Sequence, residues 1–216
     1  KLHINATIVM PETTPEIKVE AVRQFGGDWV NLVLKGKSYD AAGAEARRLA
    51  EEEQLTLIHP FDDPDVIVGQ GTIAREMLEQ QPQLNLLFVA VGGGGLAAGT
   101  AIYLKQLKPH FRVIGVESEE SACLTDAWKE DKPTCLDNVG IFADGVAVKQ
   151  MGQETFRLCK EFLDDVITVS SDEICGAIKD IFDDTRVIAE PAGALSVAGI
   201  KKYLHSHKIQ NAHIAG

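Results

Sequence analysis

The run Phe88-Val89-Ala90-Val91-Gly92-Gly93-Gly94-Gly95-Leu96-Ala97-Ala98-Gly99 constrains the fold more than any other stretch of the chain. An apolar segment of strand length meets four consecutive glycines, and a helical pattern starts at once. Without Cβ atoms the glycines reach positive φ and let the backbone approach a ligand closely. Successive N–H groups then face one concavity, and the dipole of the following helix adds partial positive charge. Such a junction predicts a phosphate held by main-chain donors. A turn with no ligand explains it poorly, because ordering four glycines in a row costs chain entropy. Main-chain donors also suit a chain with 21 basic and 32 acidic residues, a net charge of −11. That balance argues against nucleic acid and against anionic membrane surfaces as partners.

Around this junction, short β-branched segments alternate with amphipathic ones. Strands are expected over residues 6–9, 29–34, 55–58, 86–91, 113–116 and 166–169. Helices are expected over 15–25, 39–53, 66–80, 96–107, 153–162, 172–183 and 192–205, with Thr14 as a cap and Pro15 opening the first. The stretch 137–148 is less regular. Strands apolar on both faces fit a parallel sheet covered on both sides, and the alternation argues for an α/β fold with right-handed crossovers. At 216 residues the chain lies between one domain and two, and the unusually charged helix over 39–53 points to a boundary near 55–60. No apolar run is long enough to span a bilayer. Cys123, Cys135, Cys159 and Cys175 form no CxxC pair and are spaced like free thiols, which points to a reducing cytosol. The chain opens on Lys1-Leu2-His3-Ile4 without Met and closes on Ala212-His213-Ile214-Ala215-Gly216, a buried strand entering a loop. Both ends are expected to be cut from a longer protein.

A phosphate loop does not by itself select a cofactor. Gly92-x-Gly94-x-x-Ala97 also fits the dinucleotide fingerprint, and Glu117 falls where a ribose-binding acid belongs, about twenty residues on. That is the alternative of a nicotinamide-dependent oxidoreductase. Against it, four glycines make a wider cradle than a pyrophosphate turn uses, and strands and helices already precede the window. His205-x-His207 has no third ligand in view and reads as two surface histidines near a helix end.

The whole chain resembles the catalytic region of the biosynthetic threonine dehydratases (threonine ammonia-lyases), within the tryptophan-synthase-β-like family of pyridoxal-phosphate enzymes. The resemblance rests on Ile8-Val9-Met10-Pro11, Thr14-Pro15, Ala21-Val22-Arg23 and Gly26-Gly27, then Pro60-Phe61-Asp62-Asp63-Pro64 and Gly69-Gln70-Gly71-Thr72. The glycine loop, Phe142-Ala143-Asp144-Gly145-Val146-Ala147-Val148, Glu154-Thr155-Phe156 and Ala189-Glu190-Pro191-Ala192-Gly193-Ala194 follow in family order. It implies a three-layer α/β/α architecture of open parallel sheets. Two subdomains, residues 1–55 and 56–216, would flank a cofactor cleft. It implies pyridoxal 5'-phosphate as cofactor and an amino acid as substrate. The reaction would be deamination of L-threonine to 2-oxobutanoate and ammonia, or of L-serine to pyruvate, at the first step of isoleucine biosynthesis. The partners implied are copies of the same chain, in a cytoplasmic dimer or tetramer.

By that resemblance Gly92, Gly93, Gly94, Gly95 and Leu96 would hold the cofactor phosphate, and Gly145 and Glu190 would stand beside the cofactor ring. Phe61 and Asp144 would line the substrate cleft, with the Asp62-Asp63 turn near them. Asp62-Asp63-Pro64 serves equally well as a helix start, and Glu190-Pro191 equally well as punctuation between helices. The family's Schiff-base lysine lies in a Ser-x-Lys-x-Arg-Gly segment that this chain does not contain, so no catalytic residue is assigned. The chain alone is expected to be inactive, and a fragment acting only in binding or oligomerisation is a further alternative. Racemase relatives carry a divalent-cation site after the strand ending at Glu117. Here Cys123 stands where they have an aspartate, a poor donor for a hard cation, so no metal is expected.

Overall fold

The structure, a computed structural model, describes residues 3–209 and 211–216; Lys1 and Leu2 of the opening segment lie outside the described residues, as does Gln210. Two compact units divide after Ile58. In the first, strand β1 (Ala6–Met10) leads to helix α1 (Glu16–Gly26), strand β2 (Val30–Leu34) and helix α2 (Tyr39–Glu52). The strands pair in parallel, Ala6 opposite Val30 through Met10 opposite Leu34. Helix α1 ends where Gly27 turns to φ 54°. It begins at Glu16, so Pro15 and not Thr14 occupies the cap position, with no side-chain bond.

Residues 55–58 form no strand. The Leu55 N–H folds back onto the Ala50 carbonyl at the end of α2, and Leu55, Leu57 and Ile58 are exposed. A strand needs a neighbouring edge to satisfy its amides, and these residues are spent on the passage from one unit to the next.

The second unit starts at His59 and runs α3 (Pro64–Gln80), β3 (Leu86–Ala90), α4 (Gly95–Leu107), β4 (Arg112–Ser118), α5 (Cys123–Glu130), α6 (Gln153–Phe162), β5 (Asp165–Val169), α7 (Ser171–Thr185), α8 (Pro191–Ser206) and β6 (Ile214–Ala215). Its sheet is wholly parallel, in the order β5-β4-β3-β6. The pleat sends alternate side chains of β3 to opposite faces. Leu87 and Val89 join the core under α3, α4, α5 and α6, while Leu86 and Phe88 join the core under α7 and α8. The result is three layers. The chain winds outward from β3 through β4 to β5 and then returns to β6 on the other side of β3, so the direction of winding reverses at β3. The closing strand is half-buried at the sheet edge, pairing only with Leu86 and Leu87.

Helix α7 starts on a full capping box: the Glu173 amide donates to Ser170 Oγ and the Ser170 amide to the Glu173 carboxylate. Helix α5 was not foreseen. Its eight residues are too few to show a clear period, and what starts it is the buried Glu117 carboxylate of β4 rather than a residue at the cap position.

Candidate functional site

Gly92, Gly93, Gly94 and Gly95 connect β3 to α4, at the carboxyl end of the strand where the winding reverses. Open α/β sheets take ligands at such a point. Val91 still belongs to the ladder, its N–H donating to the Val116 carbonyl at 2.9 Å. Gly92 and Gly93 are half-buried and Gly94 and Gly95 buried. Gly94 has φ 90°, in the left-handed region where a side chain is strained, and is the N-cap of α4. The Ala98 N–H to Gly94 carbonyl bond, 2.9 Å, is the first of the helix. The amides of Gly95, Leu96 and Ala97 precede it, where orphan donors and the helix dipole favour an anion.

The absent Cβ atoms let neighbours close in. A Cβ on Gly93 would fall 2.3 Å from the Phe61 ring, and one on Gly95 would fall 3.1 Å from the Phe61 carbonyl oxygen. At Gly94 it would meet Met151 Cε at 2.5 Å, and at Gly92 it would meet Val146 Cα at 3.0 Å. Val146 closes a 3-10 turn with Asp144 and Gly145. A Cβ on Gly145 would in turn meet Ala192 Cβ at 2.9 Å and Glu190 Oε1 at 3.2 Å. Phe61, the glycines, the Asp144 turn and the start of α8 at Glu190 therefore adjoin one another in a chain of contacts within one unit. Asp144, Gly145 and Glu190 are exposed, and Phe61 and Leu96 are half-buried. Glu190 is also the N-cap position before Pro191, so it punctuates the helix as well.

Asp62 and Asp63 act as caps. Asp63 Oδ1 accepts from the Asp65 and Val66 amides at the start of α3. Asp62 reaches across to α6, where its carboxylate accepts from the amides of Gln153, Glu154 and Thr155 at 3.0–3.1 Å. His59 Nδ1 accepts the Asp62 N–H at 2.9 Å, and its ring meets Phe61 edge to face at 4.7 Å. Asp62→Ala should therefore cost about 2 kcal/mol, the upper range for a lost cap. A thermal melt should show a midpoint lower by about 4–8 °C; an unchanged midpoint would mean that water replaces the carboxylate without loss.

Glu117 does not serve a ribose. It is fully buried, and its carboxylate accepts from the Leu124 N–H at 2.7 Å, the Thr125 N–H at 2.8 Å and Thr125 Oγ1 at 2.7 Å. Burial pushes its pKa up against these bonds, which pull it down. The dinucleotide reading fails here, because the acid it needs is spent on starting α5. Among the described residues no group of three His, Cys, Asp or Glu side chains is placed to hold a metal. His207 stacks on Tyr203 at 3.9 Å, and the His205 ring lies 2.7 Å from the Lys201 carbonyl.

Beneath the loop lie two contacts that the sequence did not disclose. Cys123 Sγ donates to the Gly92 carbonyl at 3.4 Å and Cys159 Sγ to the Gly94 carbonyl at 3.7 Å. Nothing local marks either cysteine, since they stand 31 and 65 residues from their partners.

A doubly wound parallel sheet with amide donors gathered where β3 hands over to α4 defines an α/β protein whose main chain offers a place suited to an anion. The donor set, main-chain amides of glycines ahead of a helix, fits a phosphate monoester. Comparison with known proteins narrows the class. The chain belongs to the pyridoxal-phosphate dependent enzyme family, whose model matches residues 1–215. It is 58% identical to the biosynthetic L-threonine dehydratase IlvA of Pasteurella multocida over 97% of this chain and 40% of that protein. It is 51% identical to the mitochondrial threonine dehydratase of Schizosaccharomyces pombe over 99% of this chain and 36% of the other. Among solved structures, the processed form of threonine deaminase isoform 2 from Solanum lycopersicum superposes with a TM-score of 0.90 at 46% identity, covering 97% of this chain and 60% of that one. The chain thus spans about 40% of the length of the curated bacterial relatives it matches.

Proposed function

We propose that this chain is the phosphate-holding part of a pyridoxal-phosphate-dependent threonine ammonia-lyase. The enzyme converts L-threonine to 2-oxobutanoate and ammonia, and L-serine to pyruvate, at the first step of isoleucine biosynthesis. The observation that carries this reading is the four-glycine loop at the reversal point of the sheet, its first two residues half-buried and its last two buried, in a chain 58% identical to a threonine dehydratase. Gly92, Gly93, Gly94, Gly95 and Leu96 hold the phosphate through their amides. Gly145 and Glu190 stand on the ring side, and Phe61 and Asp144 on the substrate side; their adjacency supports this assignment.

When bound, the cofactor supplies an electron sink for the charge that develops at the substrate Cα. The chain's own part is to bind and orient. Backbone donors fixed by a sheet strand and a helix need no reorganisation when the anion arrives. Phe61, packed on Gly93 and Gly95, excludes water from one side of the loop. The division into two units after Ile58 supports a smaller subdomain of about 55 residues followed by the phosphate-binding one. The free thiols of all four cysteines support a cytoplasmic location, and the family resemblance supports a homo-oligomer. Among the described residues no helix is long and apolar enough to cross a membrane.

The test is reconstitution of the full-length protein with pyridoxal 5'-phosphate. A visible absorbance band and 2-oxobutanoate formation from threonine are expected. Gly93→Ala, whose new Cβ meets the Phe61 ring, should weaken cofactor binding by about tenfold or more, the cost of about 1.4 kcal/mol of misplacement. Absence of the band in the unaltered protein would sink the reading.

A further inference from the structure

We propose that Cys123 and Cys159 are positioning residues whose S–H groups set the orientation of alternate peptide units in the glycine loop, so that the Gly93 and Gly95 amides face the phosphate. This rests on the loop being the phosphate site. In a trans peptide unit the carbonyl and the amide point in opposite directions. The Gly92 carbonyl and the Gly93 N–H share one plane, and the Gly94 carbonyl and the Gly95 N–H share another. Drawing both carbonyls inward turns both amides outward. Cys123, whose thiol also neighbours the Glu117 carboxylate, takes hold of the first carbonyl, and Cys159 the second, which also accepts from Ala98. Four glycines in sequence offer the loop many alternative orientations, so an anchor on every second unit removes much of that freedom.

Each thiol is itself held. Cys123 is the first residue of α5, whose start is fixed by the buried Glu117 carboxylate through Leu124 and Thr125. Cys159 lies in α6, whose start is fixed by Asp62. Both cysteines are fully buried. Burial and the neighbouring Glu117 push the Cys123 thiol up to about 12 and the Cys159 thiol up as well. Both therefore stay protonated near neutrality and remain donors, where a thiolate would place negative charge beneath a phosphate.

The experiment compares binding of pyridoxal 5'-phosphate with binding of pyridoxal, which lacks the phosphate, in the full-length protein and in Cys123→Ala, Cys123→Ser, Cys159→Ala and Cys159→Ser. Each alanine variant should lose about three- to tenfold in affinity for the phosphorylated ligand, the worth of one modest hydrogen bond. Affinity for pyridoxal should be unchanged, and each serine variant should bind better than its alanine counterpart, since a hydroxyl still donates toward the carbonyl, though from a shorter arm. A packing role alone would weaken both ligands, or make serine as poor as alanine, and either result overturns the proposal. Should the alanine variants fail to fold, infrared difference spectra between the unaltered protein and each serine variant isolate the S–H band of Cys123 and of Cys159. Each band is expected to be lowered by hydrogen bonding and shifted by the phosphorylated ligand; bands at the free-thiol frequency refute the anchoring. If the unaltered protein shows no preference for the phosphorylated form, the site reading itself fails and takes this inference with it, even where the S–H bands are lowered.

Discussion

Gly99→Ala is expected to lower the unfolding free energy by about 3 kcal/mol, the upper range for forcing a methyl group into a packed interior. Elsewhere in a helix the same change is stabilising by about 0.5–1 kcal/mol, because alanine loses less entropy than glycine. Here the sign reverses. A Cβ on Gly99 would fall 2.2 Å from the Ile67 carbonyl oxygen, 2.9 Å from Gln70 Cβ and 3.0 Å from the Gly71 amide nitrogen. Two of these are backbone atoms, and neither can rotate aside. Gly71 repeats the arrangement from the other helix, since its own Cβ would meet the Gly99 carbonyl at 3.2 Å. Helices α3 and α4 approach backbone to backbone at this crossing, and a methyl group must drive them apart. Because α4 also opens on the amides proposed to hold the phosphate, its displacement should weaken cofactor binding. Denaturant unfolding followed by circular dichroism measures the effect; a Gly99→Ala protein as stable as its parent would contradict the crossing described here.

Glu117→Gln should cost about 1–3 kcal/mol at neutral pH, the range for leaving a buried donor unpaired. The carboxylate accepts three bonds from the start of α5. An amide side chain is nearly the same shape but turns an NH2 toward a backbone donor, leaving an amide of α5 unpaired. The two proteins should also differ in their response to pH. Glu117 has a folded-state pKa above its ordinary value of 4.5, chiefly because burial penalises the charged form. Folding then binds a proton more tightly than the unfolded chain does, so this group's contribution is full below 4.5 and is lost as pH rises through the raised value. The unaltered protein should lose that increment across the window, and the glutamine variant should not. Urea unfolding at several pH values across the mildly acidic range reads the difference. Parallel stability curves for the two proteins would show that Glu117 titrates the same way folded and unfolded.

The parts of this molecule legible in the sequence are those written in short range. Phe88 through Gly99 announces strand, loop and helix in twelve residues, and the structure starts and stops them within one position. The rest depends on distant contacts or on burial, which a local pattern does not show. Asp62 looked like part of a turn because its target amides at Gln153, Glu154 and Thr155 lie more than ninety residues on. Glu117 matched a ribose-binding spacing, and only its burial shows that it is committed to α5 instead. Residues 55–58 have the composition of a strand but no edge to join. The placing of Phe61 against Gly93 and Gly95 supports the site assignments that the family resemblance implied, but no local pattern contains it.

Strand β3 is flanked by two neighbours of very different sequence separation. One edge is met by β4, which follows within a few tens of residues. The other waits for Asn85 to meet His213, 128 residues later, where the His213 amide donates to Asn85 Oδ1 and the Asn85 amide to the His213 carbonyl. At translation speeds of about 5–20 residues per second, that edge stands bare on the nascent chain for on the order of ten seconds. An apolar strand with open amides recruits whatever strand it meets first. The ribosome-bound protein thus keeps an open edge on the very strand that leads into its glycine loop, and mispairing there during synthesis would disturb that loop.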